Sequence, residues 1–290
     1  MTIHSSSIVS PTAQIADDVE IGPLCVIESG VQIGSGCRLS SHVVIKEATV
    51  LGRDNHVDVG AVLGGAPQHL GVGKEVGGTV IGDGNRFREF VTIHRAYLPD
   101  KNTRIGNQNM FMASSHVGHD CAVGDSNILA NNVLLAGHVT VGDQNYFGGG
   151  VAVHQFCRAG SLAMIGGLAR ITRDIPPYVL VDGTTNCLVG LNSIGLRRAG
   201  MPPEIRRELK DAYRIAFRSE LPMEDRLAVL QKRFPLGPAR EIWQFVASTS
   251  RGVLQDRRVK KQPSRENREK EPARPNQRNA DTPRQYPRAA

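Results

Sequence analysis

The sequence predicts a parallel β-helix of six-residue repeats followed by a small α-helical domain. Three observations carry this prediction: an aliphatic side chain at every sixth position, abundant glycine with few aromatics, and a late change to helical spacing. Stepping by six from Ile15 gives Ile21, Ile27, Ile33, Leu39, Ile45, Leu51, Val57 and Leu63, aliphatic at every step. One residue later the same step reads Ala16, Gly22, Glu28, Gly34, Ser40, Lys46, Gly52, Asp58 and Gly64, with no large aliphatic among them. Neither a helix nor simple strand alternation repeats at six, whereas a short strand plus a turn does.

The register resumes at Ile81, Phe87 and Ile93, then runs from Ile105 to Ile171 with only Ala159 falling short of a large side chain. Positions two residues earlier are mostly small or β-branched, as in Ala13, Val19, Cys25, Val31, Cys37 and Val43, so each hexad sends two side chains inward. Glycine often follows the large aliphatic, where a turn is expected to use its φ freedom. Three hexads close a triangular coil, so the 24 hexads make about eight coils. Aromatics at 5% and 31 glycines suit tight turns stacked on thin aliphatic layers.

Residues 64–80 and 95–104 break the register and read as loops thrown out from the prism, where function tends to gather. Beyond Ile171 the sequence changes character. Ile205, Leu209, Ala212 and Ala216 fall at helical spacing, Pro222 opens a second helix carrying Leu227, Leu230 and Phe234, and Ile242, Phe245 and Val246 mark a third. The expected organisation is a β-helix over 1–189, a helical C-terminal domain over 190–252 and a disordered basic tail over 253–290.

The net charge of +7 invites a nucleic-acid reading, but residues 255–290 hold 11 Lys/Arg against 5 Asp/Glu, and the rest of the chain is near +1. The tail lacks interleaved aromatics, so no nucleic-acid partner is expected. The opening MTIHSSSIVS is not a signal peptide, and no apolar run is long enough to span a bilayer, so a cytoplasmic protein without stable membrane insertion is expected. The five cysteines are odd in number, scattered and never CxxC, which favours buried thiols over disulfides or zinc.

Histidines cluster where the repeat is strongest: His94, His116, His119, His138 and His154. His119 and His138 are 19 residues apart, close to one coil, and so belong on one corner of the prism, with His94 and His116 near by. A lone outward histidine is tolerated on any polar surface, but a wall of imidazoles does nothing for the core. Two chemistries remain open. Neutral imidazoles are common metal ligands, and an imidazole with a pKa near working pH is a general base, with Asp120 placed to orient His119.

The segments VTIHR, HVGHDC, ILANNVLLAGHV, AVHQFC, RDIPPYV and LNSIGLRRAG, in this order, closely resemble the UDP-N-acetylglucosamine O-acyltransferase family that begins lipid A synthesis. The likeness covers residues 8–252. It implies a left-handed helix, a homotrimer with its cleft between subunits, and transfer of a (3-hydroxy)acyl chain from acyl carrier protein to the 3-hydroxyl of UDP-N-acetylglucosamine, without cofactor or metal. In this family's terms His119 is the general base, Asp120 its orienting partner and the Gly137 N–H the oxyanion donor. Gln68, His94, His116, His138, His154 and Gln155 hold the sugar, Asn192 and Arg198 reach the nucleotide, and Gly167 leaves room for a long acyl chain.

Four positions depart from the family pattern. His69 and Gly71 stand where an acid and a lysine are common, Ile194 replaces a frequent glutamate, and Ala199 follows LNSIGLRR where another arginine is usual. These departures keep three alternatives in view: a 3-amino sugar nucleotide as acceptor, a metal-dependent hydratase of the β-helical carbonic anhydrase type, and a non-catalytic nucleotide-sugar-binding paralogue. Arg206, Arg207, Lys210, Arg214 and Arg218 form a basic set on the first C-terminal helix, suited to steering an acidic carrier protein.

Overall fold

The computed structural model describes residues 1–258, a left-handed parallel β-helix with helices appended. Short strands stack into three sheets of eleven, nine and eight strands, the three walls of a prism. Each strand pairs in parallel with the one a coil away, as Ile21 does with Leu39 and Ile27 with Ile45, except the last, Leu188–Leu191, which runs antiparallel to Val179–Val181. The inward aliphatics therefore stack on their own equivalents. Leu63 pairs with Ile93 and Ile93 with Val117, so the two register breaks are accommodated as longer coils without loss of phase. The expected eight coils are too few: strands Thr2–Ile3 and Ile8–Val9 extend the stack ahead of Ile15.

The glycines after the large aliphatics do not use positive φ as expected, apart from Gly64. They permit close stacking: a Cβ on Gly22 or Gly34 would lie 2.9 or 2.8 Å from backbone atoms of the next coil. From Leu24 onward the left-handed residue sits two positions later at most corners, and is often not glycine, as at His42, Asp54, Phe90, Asp120, His138 and Phe156. Each such residue costs about 1–2 kcal/mol. The corner N–H offsets this by donating to a carbonyl of the adjacent coil, as His138 N does to His119 O at 2.9 Å.

The small inward position carries a second, polar theme in mid-chain. Asn55, Asn85, Asn109, Asn127 and Asn145 are buried and stacked, each side-chain oxygen accepting from the next coil, so that Asn109 Oδ1 takes Asn127 N at 2.8 Å and Nδ2 at 3.1 Å. Such a ladder satisfies every buried amide it introduces. Cys25, Cys37, Cys121 and Cys157 occupy the same position elsewhere, as free buried thiols.

Helices follow at Ser193–Arg198 (α1), Pro203–Arg218 (α2), Met223–Arg233 (α3) and Pro238–Ala247 (α4). Three match the expected spacing, and α1 is an addition. Leu209, Ala212, Ala216, Leu230 and Ile242 are buried in one continuous core with the last coils. Residues 253–258 are packed as well: Val253 bridges Asp174, and buried Asp256 accepts from Tyr213 Oη at 2.5 Å and Arg218 Nε at 2.8 Å. From residue 259 onward the expected basic tail lies outside the described residues. Among the described residues no helix is long and apolar enough to cross a membrane.

Candidate active site

Histidines collect at the corner where the chain leaves the nine-stranded sheet for the eight-stranded one. His116–Val117 ends one wall, Ala122–Val123 begins the next, and His119 and Asp120 form the turn between them. One coil on, Gly137 and His138 make the equivalent turn. The His119 and His138 rings meet edge to face, 5.0 Å between centroids, and His94 and His116 do the same at 4.8 Å.

His119 is 8% exposed and directs Nδ1 at Asp120 Oδ2, 2.7 Å away. The same oxygen accepts the Tyr97 backbone N–H at 3.0 Å and lies 3.8 Å from His138 Nε2. Asp120 N in turn donates to Thr103 Oγ1 at 2.8 Å. A carboxylate that only accepts places the His119 proton on Nδ1 and leaves the Nε2 lone pair free. That nitrogen faces Gly137, where a Cβ would fall 2.7 Å from both Nε2 and Cε1. The Gly137 N–H has no acceptor among the described residues.

The surrounding imidazoles are held neutral. Burial, with His116 and His119 adding, pushes His94 down to about 4. Burial and then His119 lower His116, whose Nδ1 shares a hydrogen with Thr92 Oγ1 at 2.8 Å. His138 is lowered chiefly by burial, while Asp120 opposes the shift and His119 and His69 add to it. Behind the corner, burial pushes the Cys121 thiol up to about 12, and its Sγ–H donates to Ala136 O, so it is no nucleophile.

His119, Asp120 and His138 also offer three donor atoms within 4.8 Å of one another. The 2.7 Å between Nδ1 and Oδ2 is a hydrogen-bond distance, shorter than the about 3.3 Å separating ligands around a tetrahedral zinc ion. The arrangement suits proton transfer better than metal binding.

Of the residues singled out in the sequence, this corner unites His94, His116, His119, Asp120, Gly137 and His138. His154 and Gln155 lie at the same corner one coil further, both exposed, next to Phe156, whose ring stacks on His138 at 4.5 Å. Gln68 is exposed in the loop 64–80, whose neighbouring residue His69 reaches His119. Gly167 is elsewhere, at the corner between the eleven- and nine-stranded sheets. Asn192 and Arg198 line a groove of about 1040 Å³ outside the eleven-stranded sheet, beside Tyr146, Leu162, Met164, Leu180 and Ile194. Asn192 is already occupied there, capping α1 through Gly195 N at 3.0 Å and donating to Leu162 O at 3.0 Å. Thr92, Tyr97, Thr103 and Phe156 were not legible as site residues. Thr92 and Thr103 are set beside the histidines by a coil register that the loop lengths hide, Tyr97 by the folding of the loop 95–104, and Phe156 by its place one coil after His138.

A model described as UDP N-acetylglucosamine O-acyltransferase, domain 2, matches residues 174–254, and one for bacterial transferase hexapeptides matches residues 2–47. The acyl-[acyl-carrier-protein]–UDP-N-acetylglucosamine O-acyltransferase of Herminiimonas arsenicoxydans is 41% identical over 87% of this chain and 98% of its own length. The enzyme of that name from Anaeromyxobacter sp. (strain K) is 43% identical over 87% and 99%. Among solved structures, the UDP-N-acetylglucosamine O-acyltransferase of Moraxella catarrhalis superposes with a TM-score of 0.83 at 39% identity, covering 88% of this chain and all of that one. The UDP-N-acetylglucosamine acyltransferase of Francisella novicida gives 0.84 at 35%, covering 89% and 95%.

Proposed function

The chain belongs to the acyl-[acyl carrier protein]–UDP-N-acetylglucosamine O-acyltransferase family, and from that premise we propose that His119 is the general base of its reaction. The enzyme transfers an acyl chain from acyl carrier protein to UDP-N-acetylglucosamine, the opening step of lipid A synthesis.

The hydrogen bond from His119 Nδ1 to Asp120 Oδ2 carries the mechanistic reading, because it leaves Nε2 as an acceptor facing the cleft. Nε2 takes the proton of the sugar 3-hydroxyl as that oxygen attacks the thioester carbonyl. The carbonyl oxygen becomes an oxyanion and accepts the Gly137 N–H, a donor held in place before reaction. The intermediate collapses, the C–S bond breaks, and the carrier thiolate takes the proton back from the His119 imidazolium. Asp120 stabilises that imidazolium in between. The unreactive Cys121 thiol fits direct transfer without an acyl-enzyme.

His116 and His138, neutral and hydrogen-bonding, hold the acceptor with His94, His154, Gln155 and Gln68. Asn192, Arg198 and Gly167 cannot join them within one prism, since they lie on another wall and another corner. A cyclic trimer, in which the histidine corner of one protomer faces the eleven-stranded wall of the next, brings nucleotide, sugar and acyl subsites together. The outward side chains Ile8, Val26, Val44, Val62 and Leu134 give the nine-stranded sheet an apolar surface suited to such packing. The carrier docks on α2, where Arg206, Arg207, Lys210 and Arg214 line a groove of about 600 Å³. Arg218 is less available than the sequence suggested, being turned onto Asp256. The reaction takes place in the cytoplasm.

The test is acyl transfer to UDP-N-acetylglucosamine from a panel of carrier thioesters, by the wild type and by His119→Ala. The variant should fall by about 10²–10⁴-fold. Activity that survives in His119→Ala would remove this histidine from the mechanism, and activity abolished by chelation alone would favour the metal-dependent reading.

A further inference from the structure

Both segments that interrupt the coil register come together against the catalytic imidazole. His69, from the loop 64–80, meets the His119 ring edge to face at 5.8 Å and an interplanar angle of 84°. Tyr97, from the loop 95–104, packs on His69 with 4.6 Å between ring centroids and lies 6.2 Å from His119. Gly71 joins them through its backbone alone: its N–H donates to His69 Nδ1 at 3.1 Å and its carbonyl accepts Tyr97 Oη at 2.7 Å. The Tyr97 backbone N–H closes the circuit on Asp120 Oδ2. Two of the departures from the family pattern, His69 and Gly71, are thus parts of one structure completed by Tyr97.

An imidazole whose Nδ1 accepts a backbone N–H carries its proton on Nε2 when neutral. His69 therefore offers an N–H donor beside the His119 imidazole, and it remains exposed despite its aromatic neighbours. His69 thus stands beside the imidazole that the sugar 3-oxygen has to reach in this reading.

We propose that His69, held in position by Tyr97, is a further acceptor-binding residue that donates an Nε2–H hydrogen bond to a hydroxyl oxygen of the sugar. Tyr97 acts through His69 and Asp120 and is a positioning residue. The inference rests on the acyltransferase reading and deepens it at the acceptor subsite.

Calorimetric titration of UDP-N-acetylglucosamine into the full-length protein, with steady-state kinetics beside it, tests the idea. Loss of one neutral hydrogen bond predicts that His69→Ala weakens sugar-nucleotide binding and raises its KM about threefold to tenfold, with the KM for the acyl carrier thioester unchanged. His69→Gln, which retains an N–H donor, should recover part of the loss. Tyr97→Ala should weaken the same step, Tyr97→Phe less so, and the double variant His69→Ala/Tyr97→Ala should be no worse than the more affected single. Sugar-nucleotide affinity unchanged in His69→Ala, additive effects in the double variant, or equal rises in both Michaelis constants would overturn the proposal. Binding is read without the acyl donor, so a wild type that binds the sugar nucleotide but transfers nothing would sink the mechanism and leave this contact standing.

Discussion

The imidazole of His119 occupies the space that any side chain on Gly137 would need, its Nε2 and Cε1 both 2.7 Å from the position of a Cβ there. The proposed base and the proposed oxyanion donor are thus neighbours across one coil step, and the absence of a side chain at residue 137 is a condition of their proximity. A second glycine keeps the step short, since a Cβ on Gly118 would fall 2.8 Å from Gly137 N.

Gly137→Ala should therefore act on catalysis more than on folding. Its φ is not in the left-handed region, and the atoms nearest an added Cβ all belong to the imidazole, which must move by several tenths of an ångström. A displacement approaching 1 Å can cost about 10²-fold. Steady-state kinetics should show kcat falling on that scale while the melting temperature changes by only about 2 °C.

His94 makes stability depend on pH. Its folded pKa of about 4 lies below the ordinary 6.5, so between those values the unfolded chain binds more protons than the folded one. Stability should therefore fall as pH drops from about 6.5 towards 4. Melting temperatures measured across that window should decline less steeply in His94→Gln, and equal slopes would mean that His94 is not the group responsible.

The asparagine ladder predicts a large cost for a change far from the cleft. Asn109→Ala removes the acceptor of Asn127 N and Nδ2 and the side-chain donor to Asn85 Oδ1. Leaving buried polar groups unpaired in a stack should destabilise by about 2–4 kcal/mol. Chemical denaturation can measure this, and a loss below about 0.5 kcal/mol would show that water or neighbouring amides replace the missing bonds.

Reversing charge at Arg206 and Arg207 tests carrier docking. Both line the groove beside α2, and Arg207 is largely exposed. The double variant should raise the KM for the acyl carrier thioester, most strongly at low ionic strength, with little change for the sugar nucleotide. Unchanged carrier kinetics would dismiss α2 as the docking surface.

Much of this architecture was legible because a strict period of six leaves little choice. Ile15, Ile21 and Ile27 recur at every sixth position with turn-forming residues between them, which a short strand plus a turn, three to a coil, accommodates with all three pointing inward. The role of glycine was misread from the same pattern. Position alone does not distinguish a residue needing positive φ from one needing room, and Gly22 and Gly34 need room because the next coil's backbone lies against them. The ladder from Asn55 to Asn145 was missed because a polar residue in an inward slot looks like an exception until its neighbours are known to be asparagines stacked upon it.

Residue order alone determined the coil, the histidine-bearing corner and the short turn carrying His119 beside Asp120, since all of these follow from local spacing. Tertiary structure alone decided what stands over that corner and what does not. The inserted loops carry no period, so their meeting at His69 and Tyr97 depends on contacts between chain segments 26 residues apart or more. Arg198 and Gly167 lie away from His119 for a related reason: a prism has separate walls, and its winding, not the nearness of residues in sequence, assigns each to one of them.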